Sequence, residues 1–130
     1  MATIKSRYGY TATIGDPADE WIQRRLIGEL RTEQCDEPDD EHTQVFVSNE
    51  HWAVTAQVSG LVTFDNMDIL EGELSDLPES MFLRDIPDEQ LVAIWQETVR
   101  LDKQALRKHG WKLTIDDLPS YICDFYRSGQ

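Results

Sequence analysis

The sequence predicts an α+β fold in which one antiparallel sheet packs against several helices. Two observations carry this prediction. Three consecutive β-rich runs are separated by short turns, and the segments on both sides of them repeat apolar residues at helical spacing. The 130 residues suit a single domain, residues 1–130, that can bury an ordinary core. We expect about four to five short strands, an N-terminal helix and two or three C-terminal helices.

The β-rich runs form the centre of the predicted sheet, where β-branched and aromatic residues alternate with others. They are residues 44–48, 52–58 and 61–64. The turns between them are too short for a crossover connection, so the three runs should form an antiparallel meander. The alternation in residues 6–14 predicts an additional strand, and residues 81–83 predict a short one.

Capping residues and apolar stripes define the predicted helices. The first begins at Asp16 and Pro17, a good N-cap and a good first helical residue, and ends near residues 31–34. Its predicted buried stripe is Trp21, Ile22, Leu26, Ile27 and Leu30. Further helices are predicted over residues 91–101, over 103–109 with Gly110 as C-cap, and over 114–127. We expect the large aromatic residues Trp21, Trp52 and Trp111 to lie in the core.

The negative charge is concentrated in the centre of the chain. The net charge is −13, from 25 acidic and 12 basic residues. Residues 32–83 hold thirteen acids and no Lys or Arg, whereas the rest of the chain holds twelve of each sign. Soluble surfaces normally mix both signs, because like charges without counterparts destabilise a fold. We therefore predict that a binding partner compensates the repulsion among these acids. This interpretation is favoured over the simpler one, in which the charges only confer solubility.

The acids of this stretch form two clusters, and the partner-binding residues are predicted among them. The first and denser cluster contributes Asp36, Glu37, Asp39, Asp40 and Glu41. The second contributes Asp65, Asp68, Glu71 and Glu73. One cluster precedes the meander and the other follows it, so they should lie at opposite ends of the sheet unless the second loop folds back.

Charge and composition restrict the classes of partner. An excess of carboxylates opposes contacts with phosphates, so we expect no direct binding of nucleic acid and no binding to anionic lipid. No apolar run is long enough to span a membrane, and residues 1–10 lack a secretion signal. Cys35 and Cys123 follow no metal or redox spacing; free thiols in the cytoplasm are favoured over the alternative, a disulfide between the two. A basic protein is the expected partner, and a homodimer is compatible with the sequence.

No motif for catalysis or for a cofactor stands out. The acidic runs lack the glycine and ligand spacing of a calcium loop, and His42, His51 and His109 lack the spacing of a zinc pair. There is no nucleophile elbow, no phosphate-binding loop and no dinucleotide fingerprint. We therefore expect no enzyme activity, no metal and no cofactor.

These features favour an inhibitor that neutralises a basic toxin or nucleic-acid-processing enzyme by covering its positive cleft. The general character is that of bacterial toxin-immunity proteins, which are small, acidic and without catalytic motifs. Three alternatives stay open: an acidic chaperone for a secreted effector, a phage-type DNA mimic, and a small enzyme with an unrecognised site. The chaperone would need an exposed apolar patch, and the DNA mimic would need an elongated array of acids. The enzyme would need a concave polar pocket.

Overall fold

A six-stranded antiparallel sheet forms the centre of the molecule. The computed structural model describes residues 2–5, 11–14, 20–33, 44–57 and 59–115. The strands are β1 (Ala2–Lys5), β2 (Thr11–Ile14), β3 (Gln44–Ser48), β4 (Trp52–Gln57), β5 (Leu61–Asn66) and β6 (Ser80–Arg84), in the order β2-β1-β3-β4-β5-β6. The α+β fold class and the central meander β3-β4-β5 are thus confirmed.

The sheet has one strand more than the sequence predicted. Of the predicted strand over residues 6–14, residues 11–14 form β2, and residues 6–10 lie outside the described residues. The additional strand is β1, which pairs with β2 on one side and with β3 on the other. Ala2 and Ile4 alternate with polar residues and are buried, so a period of two is present, but four residues are too few to predict a strand from pattern.

Within the described ranges, four helices accompany the sheet. They are α1 (Glu20–Glu33), α2 (Met67–Leu70), α3 (Asp88–Arg100) and α4 (Lys103–Leu106), with a 3-10 turn at Arg107–His109. The predicted break after residue 101 is confirmed, because Asp102 caps α4 by accepting from the Ala105 amide. Gly110 ends the turn in the left-handed conformation. The last predicted helix lies outside the described residues from 116 onward.

One face of the sheet packs against α1 and α3 to form the core. Alternate strand residues such as Val47, Val54 and Phe64 are buried there, together with Ile94 and Trp95 of α3. The Trp95 indole Nε1 donates to the Val54 carbonyl at 3.1 Å, which satisfies the one polar atom of that side chain. The core therefore fixes the position of α3 against the middle of the sheet.

The buried face of α1 differs from the predicted stripe at its first turn. Leu26, Ile27 and Leu30 are buried as expected, but the Trp21 side chain is 61% exposed, and Gln23 is fully buried instead. A face through positions 23, 26, 27 and 30 has the i, i+3, i+4, i+7 spacing, so Trp21 lies off it. Gln23 Oε1 accepts from Gln96 Nε2 of α3 at 3.4 Å, whereas Gln23 Nε2 and Gln96 Oε1 are buried without a hydrogen-bond partner among the described residues, so this buried amide pair is only half satisfied.

The pairing of the meander defines two ends of the molecule. At what we call the upper end, Trp52 pairs with Asn66, and Asn49 begins the turn from β3 to β4. At the lower end Leu61 pairs with Arg84, and the chain turns into α3. Helix α3 runs from the lower to the upper end, where the Thr98 carbonyl accepts from Asn49 Nδ2 at 2.9 Å.

Candidate functional site

The second acidic cluster forms one continuous feature at the upper end, which we call the acidic segment and define as residues 67–79. It connects β5 to β6 and begins with α2. Asp65 precedes it on β5, between the buried Phe64 and Asn66, so its side chain points to the sheet face opposite the core. The remaining predicted residues of this cluster, Asp68, Glu71 and Glu73, belong to the segment itself.

Asn66 ties the two ends of the acidic segment together. Its side chain is buried, and its Oδ1 accepts from the Asp68 amide at 3.1 Å as the N-cap of α2. Its Nδ2 donates to Ser75 Oγ at 2.9 Å and to the Leu77 carbonyl at 3.1 Å. Its backbone amide donates to the Glu79 carbonyl at 2.9 Å. One buried amide side chain thus holds both the start and the return of the segment.

The turn between β3 and β4 contacts the start of the acidic segment. Met67 donates its backbone amide to the His51 carbonyl at 2.9 Å. His51 Nδ1 lies 3.0 Å from both carboxylate oxygens of Asp68. Asn49 Oδ1 accepts from the amides of His51 and Trp52, which fixes this turn. The His51 side chain thus contacts Asp68 of the acidic segment, while Asn49 shapes the turn that positions it.

Two basic residues from outside the acidic stretch compensate one of its acids. Lys103 Nζ lies 3.2 Å from Asp76 Oδ1, and Arg107 donates to Asp76 Oδ2 at 2.7 Å. The hydrogen bond from Lys103, with the added charge of Arg107, holds the pKa of Asp76 below its ordinary value. In the folded protein, basic residues from another part of the chain thus neutralise part of the negative charge of residues 32–83.

Three acids of the segment are left exposed without such compensation. Glu71, Glu73 and Glu79 form no ion pair with any residue in the described part of the chain. Leu70 and Leu74 lie among them, and the Leu74 side chain is fully exposed. A leucine with its whole surface in water is unusual for a monomer in isolation, although single exposed apolar residues do occur.

A further exposed leucine lies at the same end of the molecule. Leu101 ends α3, three residues beyond Thr98, and is two residues before the Lys103 that contacts Asp76. Its side chain is 43% exposed. The upper end therefore combines three exposed leucines with three carboxylates that form no ion pair within the described ranges. The sequence predicted the carboxylates and not the leucines. The signal for Leu70 and Leu74 was their position in a turn-rich segment, whereas Leu101 lies at the end of a predicted helix.

The first acidic cluster cannot be placed in the same way. Asp36, Glu37, Asp39, Asp40 and Glu41 lie outside the described residues. Gln44, where the described chain resumes, pairs with Gln57 toward the lower end of the sheet. Of the predicted partner-binding residues, the described part of the chain thus contains the second cluster, Asp65, Asp68, Glu71 and Glu73.

A second polar group, which we call the clasp, consists of Gln90, Glu97 and His109. His109 Nε2 lies 2.7 Å from Glu97 Oε1, and both side chains are largely buried. Gln90 Nε2 lies 3.3 Å from both His109 Nδ1 and the His109 carbonyl. Both ring nitrogens thus have partners within the protein, so the clasp fixes the 3-10 turn against α3 and offers no free nitrogen for proton transfer to a ligand.

The described residues contain no group of three His, Cys, Asp or Glu side chains that could hold a metal ion. Within the same ranges, no helix combines the length and the apolarity needed to cross a membrane. Comparison of the chain with family models, with curated proteins and with solved structures finds no match.

Proposed function

We propose that this protein is an immunity-type inhibitor that binds a basic toxin or nucleic-acid-processing enzyme and covers its positive active-site cleft. In this role it acts by binding in the cytoplasm and carries out no catalysis. The observation that carries the proposal is the upper end, where Glu71, Glu73 and Glu79 stand exposed around the fully exposed Leu74.

The physical basis is complementarity with a surface built to bind phosphates. Such a cleft presents Lys and Arg side chains, and carboxylates that face it raise the rate of encounter and exclude the substrate. An apolar side chain among the carboxylates adds contact area that does not weaken with salt. Asn66 preorganises the acidic segment, so little ordering entropy is lost when a partner binds.

The arrangement favours this function over the three alternatives. A DNA mimic needs an elongated array of acids, whereas Asp76 of this segment is neutralised by Lys103 and Arg107. A chaperone needs a continuous apolar surface, and here Leu70 and Leu74 are separated by acids. An enzyme needs convergent polar groups with a free acid or base, and both ring nitrogens of His109 already have partners.

The test begins with affinity capture by the wild-type protein from its native host, followed by mass spectrometry. Recovery of a basic enzyme whose activity falls on addition of the protein supports the proposal. Recovery of an unfolded secreted effector favours the chaperone, and recovery of DNA-binding proteins released by duplex DNA favours the mimic. Capture of no protein partner, or of an enzyme that stays fully active in the complex, contradicts the proposal.

Two charge-matched variants then locate the contact on the inhibitor. E71Q/E73Q/E79Q alters the acidic segment, and D36N/D39N/D40N alters the first cluster; each changes the net charge from −13 to −10. We expect the acidic-segment variant to slow association with the captured enzyme by roughly tenfold at low salt. If only D36N/D39N/D40N slows association, the first cluster, including Glu37 and Glu41, is the contact. Equal rates for all three proteins contradict both assignments.

A further inference from the structure

The outward face of α1 carries an exposed tryptophan. Trp21, Arg24, Arg25 and Gly28 have the i, i+3, i+4, i+7 spacing of one helix face, and all four are exposed. The buried residues of α1 occupy the other side of the helix, so this face points away from the core. Trp21 is 61% exposed, although covering a large aromatic surface stabilises a protein. Its apolar surface is therefore available to a second molecule.

Gly28 leaves a gap on the same face of α1. Glycine is the least favourable residue inside a helix after proline. No heavy atom of the described residues lies within 4 Å of the position that a Cβ of Gly28 would occupy, so crowding within this part of the chain does not require glycine. A glycine in such a place lets another chain approach the helix backbone closely.

We propose that two copies of this chain form a dimer through α1, with the two helices antiparallel about a two-fold axis. Trp21 and Gly28 lie seven residues apart, about 10 Å along the helix. With the axis midway between them, Trp21 of each copy enters the gap at Gly28 of the partner subunit. One face thus supplies both the bulky group and the space for it, which is the self-complementarity that a two-fold dimer requires.

Charge also favours α1 as the contact between two copies. The helix holds three acids and three bases and is neutral, in a protein whose net charge is −13. Arg24 and Arg25 meet at the two-fold axis, and each has a carboxylate of its own copy beside it. Arg24 donates to Glu89 at 2.7 Å, and Arg25 Nε lies 3.9 Å from Glu29. Two copies therefore approach through α1 with less repulsion than through the acidic segment.

This contact differs from that of the proposed function in its place and in its dependence on salt. Arg24 binds Glu89 in the first turn of α3, at the lower end and away from the acidic segment. A contact of two helical turns covers less area than a standard interface, so we expect a weak dimer with a dissociation constant of about 0.1–1 mM. Salt screens the repulsion between the two negative copies and should strengthen the dimer, whereas it should weaken binding of a basic enzyme.

Sedimentation of the intact protein over a range of concentrations, at low and at high salt, measures the dimer. W21A removes the bulky group and G28Q fills the gap, so we expect each variant to weaken dimerisation by roughly tenfold. G28Q should also raise the Tm of the dilute monomer, because glutamine favours a helix more than glycine does, and this separates loss of the dimer from loss of the fold. L74S is the matched control, because Leu74 is also exposed but belongs to the acidic segment, and it should dimerise like the wild type.

Mixing the two variants tests the antiparallel pairing itself. In a heterodimer of W21A and G28Q, the remaining tryptophan still meets the remaining glycine, and the small alanine leaves room for the glutamine. We expect this heterodimer to be tighter than the homodimer of either variant.

Three results for the separate proteins would overturn the dimer. They are a wild type that stays monomeric at about 1 mM in high salt, full dimerisation of W21A or G28Q, and an equal loss in L74S. A mixture of W21A and G28Q that associates no better than its components overturns the antiparallel pairing. Failure of the dimer is separate from failure of the proposed function, because W21A and G28Q leave the acidic segment intact.

Discussion

The clasp and the acidic segment use the same chemistry in different surroundings. In the clasp, Glu97 and His109 meet in a nearly water-free contact between α3 and the 3-10 turn. In the acidic segment, Asp76 meets Lys103 and Arg107 in water, with well over a third of each side chain exposed. Solvent screens exposed charges and can replace a lost partner, whereas a buried carboxylate has no substitute. The clasp therefore stabilises the fold, whereas the ion pairs of the acidic segment can be exchanged for contacts with water or another partner at little cost in free energy.

Breaking the clasp should have the largest effect on stability. H109A leaves the Glu97 carboxylate buried without its partner, so we expect a loss of about 2–4 kcal/mol in the free energy of unfolding. Urea denaturation of the purified variant and of the wild type at neutral pH measures this change in the free energy of unfolding. The control is E97Q/H109Q, in which two neutral amides should recover part of the loss. A loss in H109A no larger than that of an average surface substitution would show that water reaches the clasp.

Removing the buried anchor of the acidic segment should have an intermediate effect. N66A deletes the N-cap of α2 and the donors to Ser75 and Leu77, and we expect a loss of about 2 kcal/mol. Hydrogen exchange should accelerate in residues 67–79 while the strands keep their protection. N66D retains the capping oxygen but not the Nδ2 donors. It therefore separates the contribution of the α2 cap from that of the hydrogen bonds to Ser75 and Leu77. Acceleration across the whole sheet would mean that Asn66 supports the core and not the segment alone.

Breaking the exposed ion pair should have the smallest effect, and its sign depends on pH. Because the pKa of Asp76 is lowered on folding, the ionised carboxylate stabilises the protein above its ordinary pKa. D76N should therefore be slightly less stable than the wild type at neutral pH. The difference should vanish once the pH falls below the pKa of Asp76 in the folded protein, and it should shrink in high salt. Thermal unfolding of D76N and of the wild type at a series of acidic pH values measures this difference in stability. A difference that persists below the pKa of Asp76 contradicts the prediction.

Much of the fold could be predicted because its patterns are local. The meander follows from short turns between β-rich runs, and the break between α3 and α4 follows from Asp102. Trp21 was assigned wrongly because its spacing is compatible with a helical stripe, and only packing against α3 selected Gln23 for the buried face. Strand β1 was missed because four residues are too few to show a pattern, and because one of the two strands that it pairs with, β3, is distant in sequence.

Residue identity and local spacing were enough to locate the negative charge along the chain, the meander, the buried stripe of α1 beyond its first turn and the break between α3 and α4. Only the tertiary structure decided which of those charges have counterparts, since Lys103 and Arg107 reach Asp76 across 27 and 31 residues of chain. It also decided that Leu74 and Leu101 are exposed at the same end as Glu71 and Glu73. Exposure and ion pairing are relations between distant residues, and they exist only once the chain has folded.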